Sequence, residues 1–259
     1  MVLTETLTRG QIERYSRQII VPGVGGRAQE SLLAAHAALV ARPQDAAAAL
    51  AYLAGAGVGR ITVHPVGDRA PYAALIERAR DLNPDAKAAL AKDAKEDATA
   101  DAPSHASLDR PPATYDLLLA LIGDTQAAAA AARVTHAHRA PAAIVARLAT
   151  PACIAILPAP PPCPLCAGHV GPDLHGNLLD GLPGDLPDTP GARAANAGVV
   201  AMTAVAEAFK LLAGLAGQQL ESTLIDFEGY AAHTRRLSRE AGGERRCICE
   251  APPRTGART

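Results

Sequence analysis

Residues Tyr115–Ile122 read YDLLLALI, which ends in an unbroken run of apolar side chains. A strand without polar alternation has no face to offer water, so layers must cover it on both sides. The segments around this run supply such layers in alternation.

Thr8–Gln18 has helical spacing, with Ile12, Tyr15 and Ile19 on one face, and Pro22-Gly23 ends it. Gly25–Ala35 reads as a second short helix. Ala37–Ala41 is a short apolar strand, Asp45–Ala54 a helix closed by Gly55 or Gly57, and Arg60–His64 a β-branched strand. Tyr72–Leu82 is a helix stopped by Asn83-Pro84, and Ala86–Leu90 a weak strand. Asp93–Pro112 is polar, charged and proline-containing, which reads as a surface loop. After the central run come an Ala-rich helix over Thr125–Arg139 and strands over Ala142–Leu148 and Cys153–Leu157. This alternation predicts an α/β, Rossmann-like, doubly wound and mostly parallel sheet. Pro158–Pro190 is dense in Pro and Gly and reads as irregular; Ala195–Leu212 is a long buried helix, and Leu220–Phe227 and Ala232–Leu237 read as paired strands. The division expected is an N-terminal helical arm (1–36), a Rossmann-like core (37–157), a zinc-binding and helix/strand extension (158–250) and a disordered tail (251–259).

The net charge of -1 leaves no basic excess to neutralise phosphates, which argues against general nucleic-acid binding. No apolar run reaches the roughly 20 residues of a membrane span, and the charged N-terminus lacks the apolar stretch of a signal peptide. A cytoplasmic protein without membrane contact is expected. Four of the five cysteines form two close pairs, Cys163/Cys166 and Cys247/Cys249. Two separated pairs supply four thiolates to one tetrahedral, structural zinc. The Cys-x-Cys spacing of the second pair is less usual for zinc, and the alternative is that Cys247 and Cys249 belong to a frayed tail. His169 and His175 lie near the first pair as substitute ligands. A thioredoxin-like use of Cys163–Cys166 would need the motif after the first strand, and here it follows the last. Cys153, alone in an apolar strand, reads as a packing residue.

Several segments together resemble the HesA/MoeB/ThiF family, bacterial relatives of the ubiquitin-activating enzymes. These are Arg14-Tyr15-Ser16-Arg17-Gln18-Ile19, Tyr52–Val63 (YLAGAGVGRITV), Leu82-Asn83-Pro84, Leu121-Ile122-Gly123-Asp124-Thr125, the two cysteine pairs, and Ala197-Gly198-Val199-Val200 through Lys210-Leu211-Leu212. Their order and spacing carry the resemblance over nearly the whole chain. It implies a fold that binds Mg·ATP, adenylates the C-terminal glycine of a small ubiquitin-like or sulfur-carrier protein, and works as a dimer. It also implies that Cys163, Cys166, Cys247 and Cys249 hold zinc, that Asp124 matches an Mg·ATP-binding aspartate, and that Arg14 matches an arginine offered across the dimer to the partner's phosphates. For Asp124 the plainer alternative is the N-cap of the following helix; for Arg14 it is a surface arginine of an interface helix.

The chain departs from that pattern where nucleotide would sit. The first strand should run into a glycine-rich loop whose bare amides face phosphate. It runs into Arg42-Pro43-Gln44-Asp45, where Pro43 has no N–H and Asp45 reads as an N-cap and would repel an anion. His64 stands where an acidic ribose ligand is expected, with Asp68 four residues on, and Arg69 is the only remnant of the phosphate-holding basic residues. The cysteine that the resemblance places just before the long helix is replaced by Ala194 or Ala195, so no thioester nucleophile is evident. These departures argue against bound ATP and magnesium. They favour a non-catalytic dimeric scaffold, either a homodimer or a heterodimer with an active ThiF-like subunit, serving adenylation of a ubiquitin-like or sulfur-carrier protein. The alternatives are an active adenylyltransferase with an altered ATP site and a nucleotide-independent module that binds a peptide tail. A nicotinamide dehydrogenase is disfavoured because the dinucleotide fingerprint is missing as well.

Overall fold

A computed structural model describes residues 7–92, 115–138, 140, 142–149, 152–158, 197–215, 223–228 and 231–236. The expected surface loop 93–112, the Pro/Gly-dense stretch, both cysteine pairs, His169, His175, Ala194, Ala195 and the tail lie outside these residues.

Two helices open the described chain, α1 (Arg9–Ile19) and α2 (Gly25–Ala34). Thr8 and Gln11 form a reciprocal capping box that fixes where α1 begins. There follow β1 (His36–Ala41), α3 (Pro43–Ala56), β2 (Arg60–Pro65), α4 (Ala70–Leu82) and β3 (Lys87–Leu90). Then come β4 (Leu117–Ile122), α5 (Thr125–Ala137), β5 (Ala142–Arg147), β6 (Ala152–Pro158), α6 (Ala197–Leu212), β7 (Thr223–Glu228) and β8 (Ala231–Arg236). The strands form one eight-stranded sheet in the order β3-β2-β1-β4-β5-β6-β7-β8. β1 to β5 pair in parallel and β6, β7 and β8 are added antiparallel. The mixed α/β, mostly parallel architecture is therefore as expected. Tyr115 and Asp116 precede β4 rather than opening it.

Every residue of β4 is buried, as the apolar run requires. Its odd residues face a core shared with α2, α3, α4 and α6; its even residues face α5. Alanine fills much of both cores, so helices approach the sheet closely despite the 3% aromatic content. Tyr15 and Tyr72 are the largest fully buried side chains.

The N-terminal arm is fastened to the carboxyl end of α3. Asn83, Gln18 and Gln29 donate side-chain amides to the Ala54, Gly55 and Ala56 carbonyls at 2.6, 3.4 and 3.0 Å. A helix end leaves such carbonyls short of intrahelical donors, and these side-chain amides supply them, with the Gly57 amide also bonding the Ala54 carbonyl at 2.9 Å. Gly57, at φ 90°, is the C-cap that turns the chain towards β2.

Candidate functional site

The chain leaves β1 towards β2 on one side and later returns to β4 on the other, so the topological switch point lies between β1 and β4. Open α/β sheets bind ligands beyond the carboxyl ends of the strands at such a point. Here those ends are Ala41-Arg42 and Ile122-Gly123-Asp124.

Arg42 is the N-cap of α3, in extended conformation and with no side-chain cap bond, and Pro43 stands at the first helical position. Proline suits that position because its missing N–H would be unpaired there anyway. The expectation that Asp45 caps this helix is corrected: Asp45 lies in the first turn, and its amide bonds to the Arg42 carbonyl at 3.0 Å. Its carboxylate is buried beside the positive end of the helix dipole. Pro43 fixes the start two residues earlier than the apolar pattern alone suggests.

Asp124 is the N-cap of α5, with Oδ1 accepting from the Ala127 amide at 2.9 Å. Its Oδ2 accepts from Arg42 Nε in an ion pair that spans the switch point. A second guanidinium nitrogen donates to Gln126 Oε1 at 3.2 Å. Asp124 is fully buried, and burying a carboxylate is tolerable only when a counter-charge and hydrogen bonds accompany it. Arg42 supplies the first and the start of α5 the second.

The β2–α4 connection closes in from the side. Buried Tyr72 donates its hydroxyl to the Ala41 carbonyl at 2.6 Å and accepts from the Val66 amide at 2.9 Å. Burial raises its pKa above the usual phenol value. Gly67 sits at φ 82°, and a Cβ there would lie 3.5 Å from the Arg42 guanidinium. Asp68 accepts from the Ala70 amide at 3.1 Å, and Arg69 donates to the Ala91 carbonyl at 2.7 Å. His64 does not face the crevice as a ribose ligand would: its Nε2 meets the Tyr115 hydroxyl at 2.9 Å on the sheet face covered by α5. Burial, then the neighbouring His138 and His36, lower its pKa to about 4.

The structure thus places Asp124 at the switch point, while Arg69 donates to the Ala91 carbonyl. Arg14 pairs with Asp85 at 2.5 Å, on the arm side of α3. Sequence reasoning missed Arg42 as the counter-ion of Asp124, together with Tyr72 and Gln126. No signal in the sequence alone pairs them: Arg42 and Asp124 follow the two strands that flank the reversal of strand order, and that order appears only in the fold. Among the described residues no cluster of three or more His, Cys, Asp or Glu is arranged to hold a metal, and no helix is long and apolar enough to cross a membrane.

No protein-family model and no curated protein sequence matches the chain. Solved structures do. E. coli MccB with succinimide is similar over 89% of this chain and 74% of that one, at 12% identity and a TM-score of 0.57. E. coli MccB with ATP is similar over 87% and 72%, at 12% identity and a TM-score of 0.54. Selenomethionine PaaA is similar over 91% and 76%, at 15% identity and a TM-score of 0.51. The likeness is one of fold: the chain shares the α/β fold of these structures.

Proposed function

We propose that the chain is a non-catalytic ThiF/MoeB-like protein, a dimeric scaffold or partner subunit for adenylation of a ubiquitin-like or sulfur-carrier protein. One observation carries this: the Arg42–Asp124 ion pair across the switch point. A magnesium-bound triphosphate does not fit there. Each Asp124 oxygen already holds a donor, Pro43 lacks an amide, and the buried Asp45 adds negative charge where phosphates would approach. Arg42 is cationic, but its guanidinium is committed to Asp124 and Gln126. The fold shared with MccB, a microcin C7 biosynthetic enzyme crystallised with ATP and with MccA, supports the assignment to adenylation machinery.

The dimer part of the proposal rests on an apolar groove of about 450 Å³ between α1, α3, α4 and α6, flanked by the outward-facing Tyr52 and Leu82. Structural zinc is proposed on the donor set alone: Cys163, Cys166, Cys247 and Cys249 suit a closed tetrahedral thiolate site. An Arg14 offered across an interface would first have to leave Asp85.

Calorimetric titration with Mg·ATP, and pyrophosphate exchange with and without a catalytically intact ThiF-like subunit, test the proposal. The isolated chain is expected to show neither saturable binding nor exchange, and to raise exchange by the intact subunit. Micromolar Mg·ATP binding by the chain alone would instead establish an adenylyltransferase with an altered site. Loss of the stimulation in Arg14→Ala would give that arginine a role in trans.

A further inference from the structure

Four rings meet on the sheet face that α5 covers. The Tyr115 ring centre lies 4.7 Å from that of His36, 4.9 Å from His138 and 5.7 Å from His64, and His64 lies 5.5 Å from His138. Each ring comes from a different element: His36 opens β1, His64 belongs to β2, Tyr115 leads into β4, and His138 is the C-cap of α5. Two hydrogen bonds fix the arrangement, His64 Nε2 with the Tyr115 hydroxyl at 2.9 Å and His36 Nε2 with Thr62 Oγ1 at 2.8 Å. Tyr115 is buried, so its ring covers sheet surface that would otherwise need a helix. Besides the other rings, the charged groups acting on His36 are Arg60 and Asp116. Asp116 Oδ2 accepts from the His36 amide at 2.7 Å.

Helix α5 is thereby fastened at both ends by different chemistry. Its first turn is held by Asp124, itself paired with Arg42. Its last turn ends in a ring cluster with three imidazoles and one phenol. We propose that this cluster is an acid-released latch: neutral imidazoles hold the carboxyl end of α5 on the sheet, and protonation sets like charges against one another and frees that end while Asp124 retains the other.

The direction of titration supports the geometry. Burial, followed by His138 and His36, lowers the His64 pKa to about 4. Burial and then Arg60 lower that of His36, with Asp116 opposing. A freed histidine titrates near 6.5. Above that pH His36 and His64 are neutral in both states and the latch holds fully. As pH falls from about 6.5 towards 4, the released state binds protons that the closed state refuses, so closure weakens throughout that window. Below the lower value both states are protonated and the loss levels off.

Native-state hydrogen exchange on the full chain, followed by residue-resolved NMR and corrected for intrinsic rate, tests the latch. The His138 amide, bonded to the Val134 carbonyl at 3.0 Å, reports the latched end, and the Ala127 amide reports the other. Between pH 7 and pH 5 the protection of His138 is expected to fall by about tenfold or more while that of Ala127 holds. His64→Gln, which keeps a polar group for Tyr115, is expected to remove that pH dependence, and His138→Gln serves as a second variant. Equal loss of protection at both ends, or an undiminished drop in both variants, would overturn the proposal.

Discussion

Arg42 and Asp124 follow the two strands on either side of the switch point, and their ion pair joins the start of α3 to the start of α5. The pair is asymmetric, because Asp124 is fully buried while the Arg42 side chain is 19% exposed. Removing the arginine strands a buried carboxylate; removing the carboxylate's charge leaves an arginine that can turn to water. Arg42→Ala is therefore expected to cost about 3 kcal/mol, at the low end for a broken buried pair. Asp124→Asn, which retains a good N-cap, should cost about half as much. Urea unfolding of both variants checks the order, and equal losses would mean that the burial of Asp124 is not what gives Arg42 its weight.

The arm-side corner gives a second prediction. Tyr15 bonds Asn83 and Asp85, and Asn83 in turn bonds the Ala54 carbonyl. A Cβ on Gly57 would lie 2.5 Å from Gln29 Nε2 and 2.8 Å from the Tyr15 ring, at a φ of 90°. A Cβ on Gly59 would lie 1.8 Å from the Leu33 carbonyl oxygen, which is backbone and cannot turn aside. Gly59→Ala is expected to prevent folding. Gly57→Ala should fold with a loss of roughly 1–3 kcal/mol, and Tyr15→Phe with a loss of about 1 kcal/mol. Circular dichroism and denaturant midpoints check the ranking, and a natively stable Gly59→Ala would refute the packing described.

These two regions show what the sequence could disclose. Arg14-Tyr15-Ser16-Arg17-Gln18, Ala54-Gly55-Ala56-Gly57 and Leu82-Asn83-Pro84 are legible as segments because each has a fixed local pattern, and the fold brings all three to one corner. Their mutual hydrogen bonds are not legible, since Tyr15 and Asn83 lie far apart in the chain and only packing pairs them. The loss of bare amides after β1 is likewise plain from Pro43. That Arg42 neutralises Asp124 is not, because a strand-ending arginine has many rotamers and only the strand order selects this partner. An aspartate before an apolar helix suggests a cap, but Pro43 starts the helix earlier and leaves Asp45 in its first turn. The apolar run does not show where pairing begins, and Tyr115 stands two residues before β4.

Buried tyrosines give a third prediction. The pKa values of Tyr15, Tyr72 and Tyr115 all lie above the usual phenol value, in each case chiefly through burial. The unfolded chain ionises at about 10, so stability is lost as pH rises from there towards the folded-state values. With five tyrosines and no tryptophan, phenolate absorbance is unobscured. Part of that signal is expected to be withheld until the far-UV circular dichroism collapses. Complete ionisation with an unchanged dichroism spectrum would contradict the burial of these three rings.

The cysteine pairs give a fourth. Four thiolates on one zinc predict near-stoichiometric metal in protein purified without chelator, released in Cys163→Ser. Elemental analysis with a thiol-reactivity assay decides this. Metal-free protein in which all four thiols react freely, while thermal stability is unchanged, would remove zinc from the proposal.

The groove on the helical side gives the last. Tyr52 and Leu82 are 64% and 57% exposed, and the groove beside them is walled by Ala51, Gly55, Ala56 and Phe209. Large apolar groups grouped on one exposed face mark an interaction surface more often than an accident of packing. If this face joins two copies, charge placed on it must act on assembly and not on folding, because neither side chain supports the core. Tyr52→Glu with Leu82→Glu is expected to shift the sedimenting species from dimer to monomer and to leave the monomer's unfolding midpoint in urea within about 0.5 kcal/mol of the parent. A wild-type chain that sediments as a monomer at tens of micromolar would leave the groove to a different subunit, and the same double variant would then abolish stimulation of that subunit's pyrophosphate exchange. Variants that kept both the dimer and the stimulation would exclude this face from either association.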